Sequence, residues 1–122
     1  MCTFYTSCMV ENHVDRSKSV RVPKLLVDTG SGDTWIPATT LAKIGIKREK
    51  KDVPFVMANG QAITRSIGFA ILRIGPRFTT DEVVFAEPGD LLLLGARTLE
   101  GMDLAVDANR KKLVAAGPRH AA

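Results

Sequence analysis

One acidic side chain, Asp28, stands where a buried strand is expected to end in a tight turn. The apolar run Leu25–Val27 precedes it, and two glycines follow within the next four residues. Glycine allows the backbone conformations and close approach that a loop tip needs, so the carboxylate is presented rather than buried. The hydroxyls of Thr29 and Ser31 and the backbone N–H groups of the turn can hydrogen-bond a carboxylate. The pattern therefore predicts a site for acid–base chemistry.

A single carboxylate leaves that chemistry incomplete. Hydrolysis by paired acids needs a second carboxylate within a few ångström of the first. Asp33 lies beyond the turn, and no second Asp-Thr-Gly or Asp-Ser-Gly occurs in the chain. If two carboxylates are needed, the second must come from another copy of the protein.

Three segments of the sequence resemble the retropepsin-like aspartic proteases, which are single-domain, homodimeric relatives of pepsin. Leu26–Ser31 fits the apolar-apolar-Asp-Thr-Gly-Ser pattern of that family, and Leu92–Gly95 fits its downstream apolar-apolar-Gly motif. Met57–Ala62 lies between them, where the family has a flap hairpin. The resemblance spans residues 20–115 and is nearer to the small bacterial members than to the viral enzymes.

This resemblance implies a function and a set of site residues. Asp28, Thr29 and Gly30 would be catalytic, with a water activated between the Asp28 carboxylates of a homodimer. The Thr29 hydroxyl would bond the partner's active-site loop, and Ser31 would steady Asp28. The expected protein is an aspartic endopeptidase that needs no cofactor and no metal. Its extended peptide or protein substrate would bind along Ser31, Gly32, Asp33, Ala58, Asn59, Gly60 and Gln61.

Two other functions stay open on the sequence. The same fold could serve as a catalytically inactive, dimeric peptide-binding module, or as a structural half that awaits a different partner. The intact Asp28-Thr29-Gly30 motif favours the enzyme, because a binding module has no need for the acid.

The chain departs from the viral pattern at two places. Gly32 and Ala96 stand where the viral enzymes have an Asp and an Arg that pair with each other, so the sequence predicts that this brace is missing. Arg97, in the helix expected over 96–100, is the charged residue with a family reason to lie near the site. The flap lacks doubled glycines, so we expect a stiffer hairpin.

Many short strands separated by turn residues predict an all-β fold, which we interpret as a closed acid-protease-type β-barrel with one or two short helices. Asn59-Gly60 is a strong hairpin signal. Thr39 and Thr40 are candidate caps of a short helix that Gly45 would end. Strands are expected over 3–11, 20–27, 53–57, 62–66, 68–74, 79–85, 91–95, 104–107 and 112–115. Residues 1–122 would form one domain with a core over 3–115 and a disordered tail at 117–122.

Length and composition are those of one globular domain, with 122 residues, 45% apolar and 25% charged. The net charge of +4 is scattered apart from Lys47–Lys51, which lacks aromatic neighbours and is typical of a solvated loop. Cys2 and Cys8 would lie about 20 Å apart in one strand, too far for a disulfide. Free thiols and the absence of a long apolar run predict a cytoplasmic protein with no nucleic-acid or membrane partner.

Several other residues receive structural interpretations. Trp35 is expected to pack beside the site, and Phe55 and Met57 are expected to belong to the core rather than to contact substrate. His13 and His120 are expected at the surface, so no metal is assigned.

Overall fold

The structure is a computed structural model that describes residues 3–121. Its elements, in chain order, are β1 (Tyr5–Glu11), β2 (Ser19–Asp28), β3 (Thr34–Pro37), α1 (Ala38–Lys43), β4 (Lys50–Val56), β5 (Ala62–Ile74), β6 (Arg77–Ala86), β7 (Leu93–Gly95), α2 (Ala96–Gly101), β8 (Leu104–Asp107) and β9 (Lys112–Ala115).

Six strands close into a barrel. Neighbouring strands pair in the order β1-β2-β7-β3-β6-β5, and β5 returns to pair with β1. The β2–β7 and β3–β6 pairs are parallel and the remaining pairs are antiparallel. Closure pairs the exposed edges of an otherwise open sheet, which stabilises so small a domain. The predicted all-β barrel with two short helices is confirmed.

Two apolar clusters lie on opposite faces of the same strands. In β6, Val83 and Phe85 belong to the barrel interior, whereas Val84 and Ala86 belong to a second cluster outside it. Successive side chains of a strand point to opposite faces, so a strand covered on both sides is apolar at every position. The second cluster supports the hairpin formed by β4 and the first half of β5.

β5 is one continuous strand where the sequence analysis expects two. Its residues 62–67 pair with β4, and its residues 67–74 pair with β6. The first half therefore extends beyond the barrel wall as one arm of a hairpin, while the second half belongs to the barrel. The predicted break at residue 67 was wrong because the strand changes partners there without ending.

One local prediction needs correction, one is confirmed, and one strand was not predicted. α1 follows Pro37, and neither Thr39 nor Thr40 caps it, since both lie inside the helix and no side chain bonds its first turn. Gly45 follows the helix with φ +76°, as predicted for a helix end. β3 was not anticipated as a strand of its own, because four residues directly after the Asp28 turn carry no alternation that a pattern can detect.

One cysteine lies within the barrel wall. Cys8 is buried in β1, and burial raises the pKa of its thiol to about 12. Cys2 lies outside the described residues.

β8 and β9 form the predicted closing hairpin. In the tail, Arg119 donates to the Asp103 carboxylate at 2.6 Å, and the disorder expected of residues 117–122 stays a prediction.

Candidate active site

Asp28 is the last residue of β2 and lies beside Gly95, the last residue of β7. The Gly30 N–H donates to Oδ1 of Asp28 at 2.9 Å, and the Ser31 N–H donates to the Asp28 carbonyl oxygen at 3.2 Å. Asp28 is half-buried. The turn thus holds the carboxylate at the end of the barrel and leaves it accessible.

The two hydroxyl side chains that follow Asp28, those of Thr29 and Ser31, have different surroundings. The Ser31 hydroxyl donates to the Asp33 carbonyl oxygen at 2.9 Å, so the expectation that its side chain steadies the Asp28 carboxylate is corrected. Ser31 fixes the turn through its backbone instead. Thr29 is exposed, and its hydroxyl has no hydrogen-bond partner among residues 3–121. That hydroxyl is available to another molecule.

The second motif packs directly against the Asp28 turn. The Ala96 N–H donates to the Ser31 carbonyl oxygen at 2.7 Å, and the Arg97 N–H donates to the Gly32 carbonyl oxygen at 3.3 Å. A Cβ atom at Gly95 would clash with the carbonyl group of Asp33. The glycine of the apolar-apolar-Gly motif is therefore needed for close backbone approach.

A chain of buried hydroxyls connects this contact to β6. The Gly95 N–H donates to Oγ1 of Thr34 at 2.9 Å, Thr34 and Thr98 hydroxyls lie 2.6 Å apart, and the Thr98 hydroxyl donates to Asp81 Oδ2 at 2.8 Å. Because Thr98 uses its proton toward Asp81, Thr34 is the donor between the two threonines. Both threonines are fully buried. Sequence reasoning missed this network, since nothing local distinguishes these threonines from others.

An ion pair joins the two motifs, although the sequence predicts that no such brace exists. Gly32 and Ala96 carry no charge, as predicted. The residues that follow them, Asp33 and Arg97, form the ion pair instead, with Arg97 Nη1 3.2 Å from Asp33 Oδ1. The side chain of Arg97 is 49% exposed. The brace is thus present with its register shifted by one residue, and Arg97 lies near the site as its family position suggested.

The predicted flap is a hairpin with a three-residue loop. The Gly60 N–H donates to the Met57 carbonyl oxygen at 2.8 Å, and the Met57 N–H donates to the Gln61 carbonyl oxygen at 2.8 Å. Gly60 has φ +84°, and Oδ1 of Asn59 accepts the Gln61 N–H at 2.9 Å. This pattern is that of a turn followed by a left-handed glycine. The Asn59-Gly60 signal is confirmed.

A cleft of about 380 Å³ separates the Asp28 turn from the hairpin. Of the residues predicted from sequence, the structure brings Asp28, Gly30, Ser31, Asp33 and Ala58 to its lining. The other predicted residues belong to the same turn and hairpin but do not line the cleft: Thr29, Gly32, Asn59, Gly60 and Gln61. Turn and hairpin therefore face one another, with space between them for a ligand.

The remaining lining is apolar, and most of it was not predicted. It comprises Trp35, Phe55, Val56, Met57, Leu91 and Leu93. The rings of Trp35 and Phe55 lie 5.1 Å apart, so these residues both pack in the second cluster and form a cleft wall. The expectation that Phe55 and Met57 are core alone is corrected. Their alternation with Val53 was the available signal, because it marks the inner face of the hairpin.

A closed barrel that presents one Asp-Thr-Gly turn opposite a hairpin defines a domain of the aspartic-protease class. The chain matches the family described as "gag-polyprotein putative aspartyl protease" over residues 18–101, more than half of its length, and belongs to that family. No match to a curated protein was found.

Two further findings concern the site's surroundings. No helix within residues 3–121 is both long and apolar enough to cross a membrane. In the same part of the chain, His, Cys, Asp and Glu side chains form no group of three or more that could hold a metal ion.

Proposed function

We propose that the protein is an aspartic endopeptidase that works as a homodimer, with one Asp28 contributed by each copy. The observation that carries the proposal is the acid content of the cleft. Asp28 and Asp33 are the acids of its described lining, and Asp33 is already paired with Arg97. Among the described residues, the cleft therefore offers Asp28 no second unpaired acid, and a two-fold axis at the turn would supply one.

The mechanism follows from the charge of such a pair. Two carboxylates a few ångström apart do not both ionise at modest cost, so the pair holds one proton. The ionised Asp28 takes a proton from a water, and the oxygen of that water bonds to the peptide carbonyl carbon. The protonated Asp28 of the other copy donates to the carbonyl oxygen. The C–N bond then breaks as the nitrogen takes the proton that the first Asp28 accepted from the water, and a hydroxyl of the tetrahedral carbon returns a proton to the second Asp28. The pair again holds one proton, and no covalent enzyme intermediate forms.

The cleft also favours a class of substrate. Its apolar wall suits apolar side chains on either side of the scissile bond, and a hairpin edge can bind an extended backbone through main-chain hydrogen bonds. Val56 and Leu91 line the cleft yet are 78% and 63% exposed. A second subunit and a bound peptide would cover this apolar surface.

Asp28→Asn tests the chemistry. The amide preserves the shape but cannot act as a base, so hydrolysis of apolar-rich fluorogenic peptides at acidic pH should fall by about 10²–10⁴-fold. Asp107→Asn, the same change in β8 away from the cleft, is the matched control. Cleavage by Asp28→Asn within about tenfold of the wild type would contradict the mechanism. If the wild type and Asp28→Asn both bind the peptide and neither cleaves it, the peptide-binding module is favoured over the enzyme.

Dilution tests the shared site. If the site forms across two copies, specific activity must fall as the dimer dissociates. Sedimentation velocity at the assay concentrations should show the same midpoint as the activity. Full activity from a protein that sediments as a monomer at every concentration would refute the homodimer.

A further inference from the structure

The inner face of the hairpin carries one basic residue among apolar ones. Ile63, Arg65 and Ile67 alternate along β5 and so share a face, and both isoleucines pack in the second cluster. The Arg65 side chain is only 14% exposed. A guanidinium is costly to bury in such a place unless its donors are satisfied.

Asp90 satisfies Arg65 with two parallel bonds. Nε of Arg65 donates to Oδ2 of Asp90 at 2.7 Å, and Nη2 donates to Oδ1 at 2.8 Å. The Asp90 side chain is 11% exposed. This fork geometry is specific to arginine and much better defined than a surface ion pair.

The aspartate belongs to a compact turn that precedes β7. Oδ2 of Asp90 also accepts the Glu87 N–H at 2.8 Å, and the Asp90 N–H donates to the Glu87 carbonyl oxygen at 3.0 Å. A second carboxylate oxygen, Oε1 of Glu87, lies 3.8 Å from Nη1 of Arg65. The arginine therefore holds the whole turn rather than one side chain.

This turn leads straight into Leu91, which lines the cleft together with Phe55–Ala58 of the hairpin. The hairpin and the Glu87–Leu91 segment are thus two walls of one cleft, well separated in sequence, and Arg65 with Asp90 joins them. We infer that the Arg65–Asp90 ion pair sets the separation of these two walls, as a pair of positioning residues for substrate binding.

The Arg65–Asp90 ion pair should stay charged at the mildly acidic pH at which a shared-proton pair of carboxylates works. The Arg65 guanidinium beside Asp90 holds the pKa of that carboxyl below its usual range, the main cause being their hydrogen bonds. A depressed pKa means stability that is present above the unfolded value of about 3.9 and lost as the pH falls through the folded value. The ion pair therefore persists at mildly acidic pH.

The experiment compares two ion pairs on the same strand. Arg65→Gln and Asp90→Asn break the hairpin pair, whereas Arg73→Gln and Glu11→Gln break a pair in the barrel half of β5, where Arg73 Nε lies 2.9 Å from Glu11 Oε2. Hydrogen exchange of the 50–67 and 87–91 amides is measured for all four variants, together with kcat and KM on an apolar-rich peptide.

Both hairpin variants should raise KM on the order of tenfold with kcat changed far less, because the walls are lost as a binding surface while Asp28 is untouched. Exchange should speed up by on the order of tenfold in 50–67 and 87–91 and stay unchanged in the rest of the barrel. The Arg73 and Glu11 variants should leave KM and both segments unchanged.

The exchange measurement does not depend on catalysis, although the kinetic readout rests on the proposed function. If the wild type cleaves no peptide, localised exchange in the two segments still supports the wall-spacing role while the peptidase proposal fails. Unchanged exchange in both segments, or an equal rise throughout the barrel, would overturn the inference. So would an active enzyme whose KM is unaffected by Arg65→Gln and Asp90→Asn.

Discussion

The two loops that face each other across the cleft are held in opposite ways. The Asp28 turn is bonded from outside, by the backbone of Ala96 and Arg97 and by the Arg97 side chain. The hairpin tip is different, since the hydrogen bonds found for residues 58–61 in the described chain stay within 57–61. The acid is therefore fixed by distant segments, whereas the tip is shaped by its own residues.

The difference suits the proposed chemistry. A general base must be held at one position relative to the scissile bond, so bracing from the barrel is an advantage there. A cover that admits and releases a peptide must open, and few external bonds make opening inexpensive. Mutations in the turn should consequently reduce the free energy of unfolding, and mutations in the tip should reduce turnover.

The largest expected effect comes from Gly95→Ala. The added methyl group would clash with the Asp33 carbonyl, which is backbone and part of the Asp28 turn. We expect the free energy of unfolding to fall by about 3 kcal/mol, as for overpacking in a well-packed region. Urea unfolding followed by circular dichroism measures the change.

Gly60→Ala is the matched control at the hairpin tip. A Cβ atom there meets nothing within 4 Å, and the cost is that of φ +84°, about 1 kcal/mol. Gly60→Val, with a β-branched side chain, is more strained at this φ and should impair turnover while the barrel stays folded. Equal destabilisation by Gly95→Ala and Gly60→Ala would break the comparison.

Thr34→Val should have a smaller but clear effect. The isosteric change leaves the Gly95 N–H without its acceptor and Thr98 without its donor, inside the barrel. Such unsatisfied buried groups cost about 1–3 kcal/mol. Thermal unfolding should detect the loss, with Thr64→Val on the exposed face of β5 staying within about 0.5 kcal/mol of the wild type.

The smallest effect should come from the Asp33–Arg97 ion pair. Because Arg97 is half exposed, a double-mutant cycle with Asp33→Asn and Arg97→Gln should give a coupling of about 0.5 kcal/mol, and less in high salt. Unfolding in urea at low and high salt measures it. A coupling free energy of zero at low salt would mean that the Asp33–Arg97 ion pair does not help to hold the Asp28 turn.

Local patterns predicted the parts of the site that local physics shapes. Asp28 at a strand end and the Asn59-Gly60 hairpin depend on short-range turn geometry and apolar alternation, and both are found. The predicted cap at Thr39 or Thr40 was wrong because the helix already begins at Ala38, so both threonines lie past the cap position. β3 was not predicted as a strand because its strand character comes from pairing with β6 and β7 rather than from its own residues.

The sequence by itself determined that the chain is built of short strands, with one acid at a glycine-rich turn and a hairpin further on, since strand alternation and turn geometry arise between near neighbours. Only the tertiary structure decided what surrounds the acid. The pairing of Asp33 with Arg97, the burial of Thr34 against Thr98, and the Arg65–Asp90 bond between the cleft walls join residues far apart in the chain. Such contacts depend on the register of closed strands, and a shift of one residue changes which side chains meet.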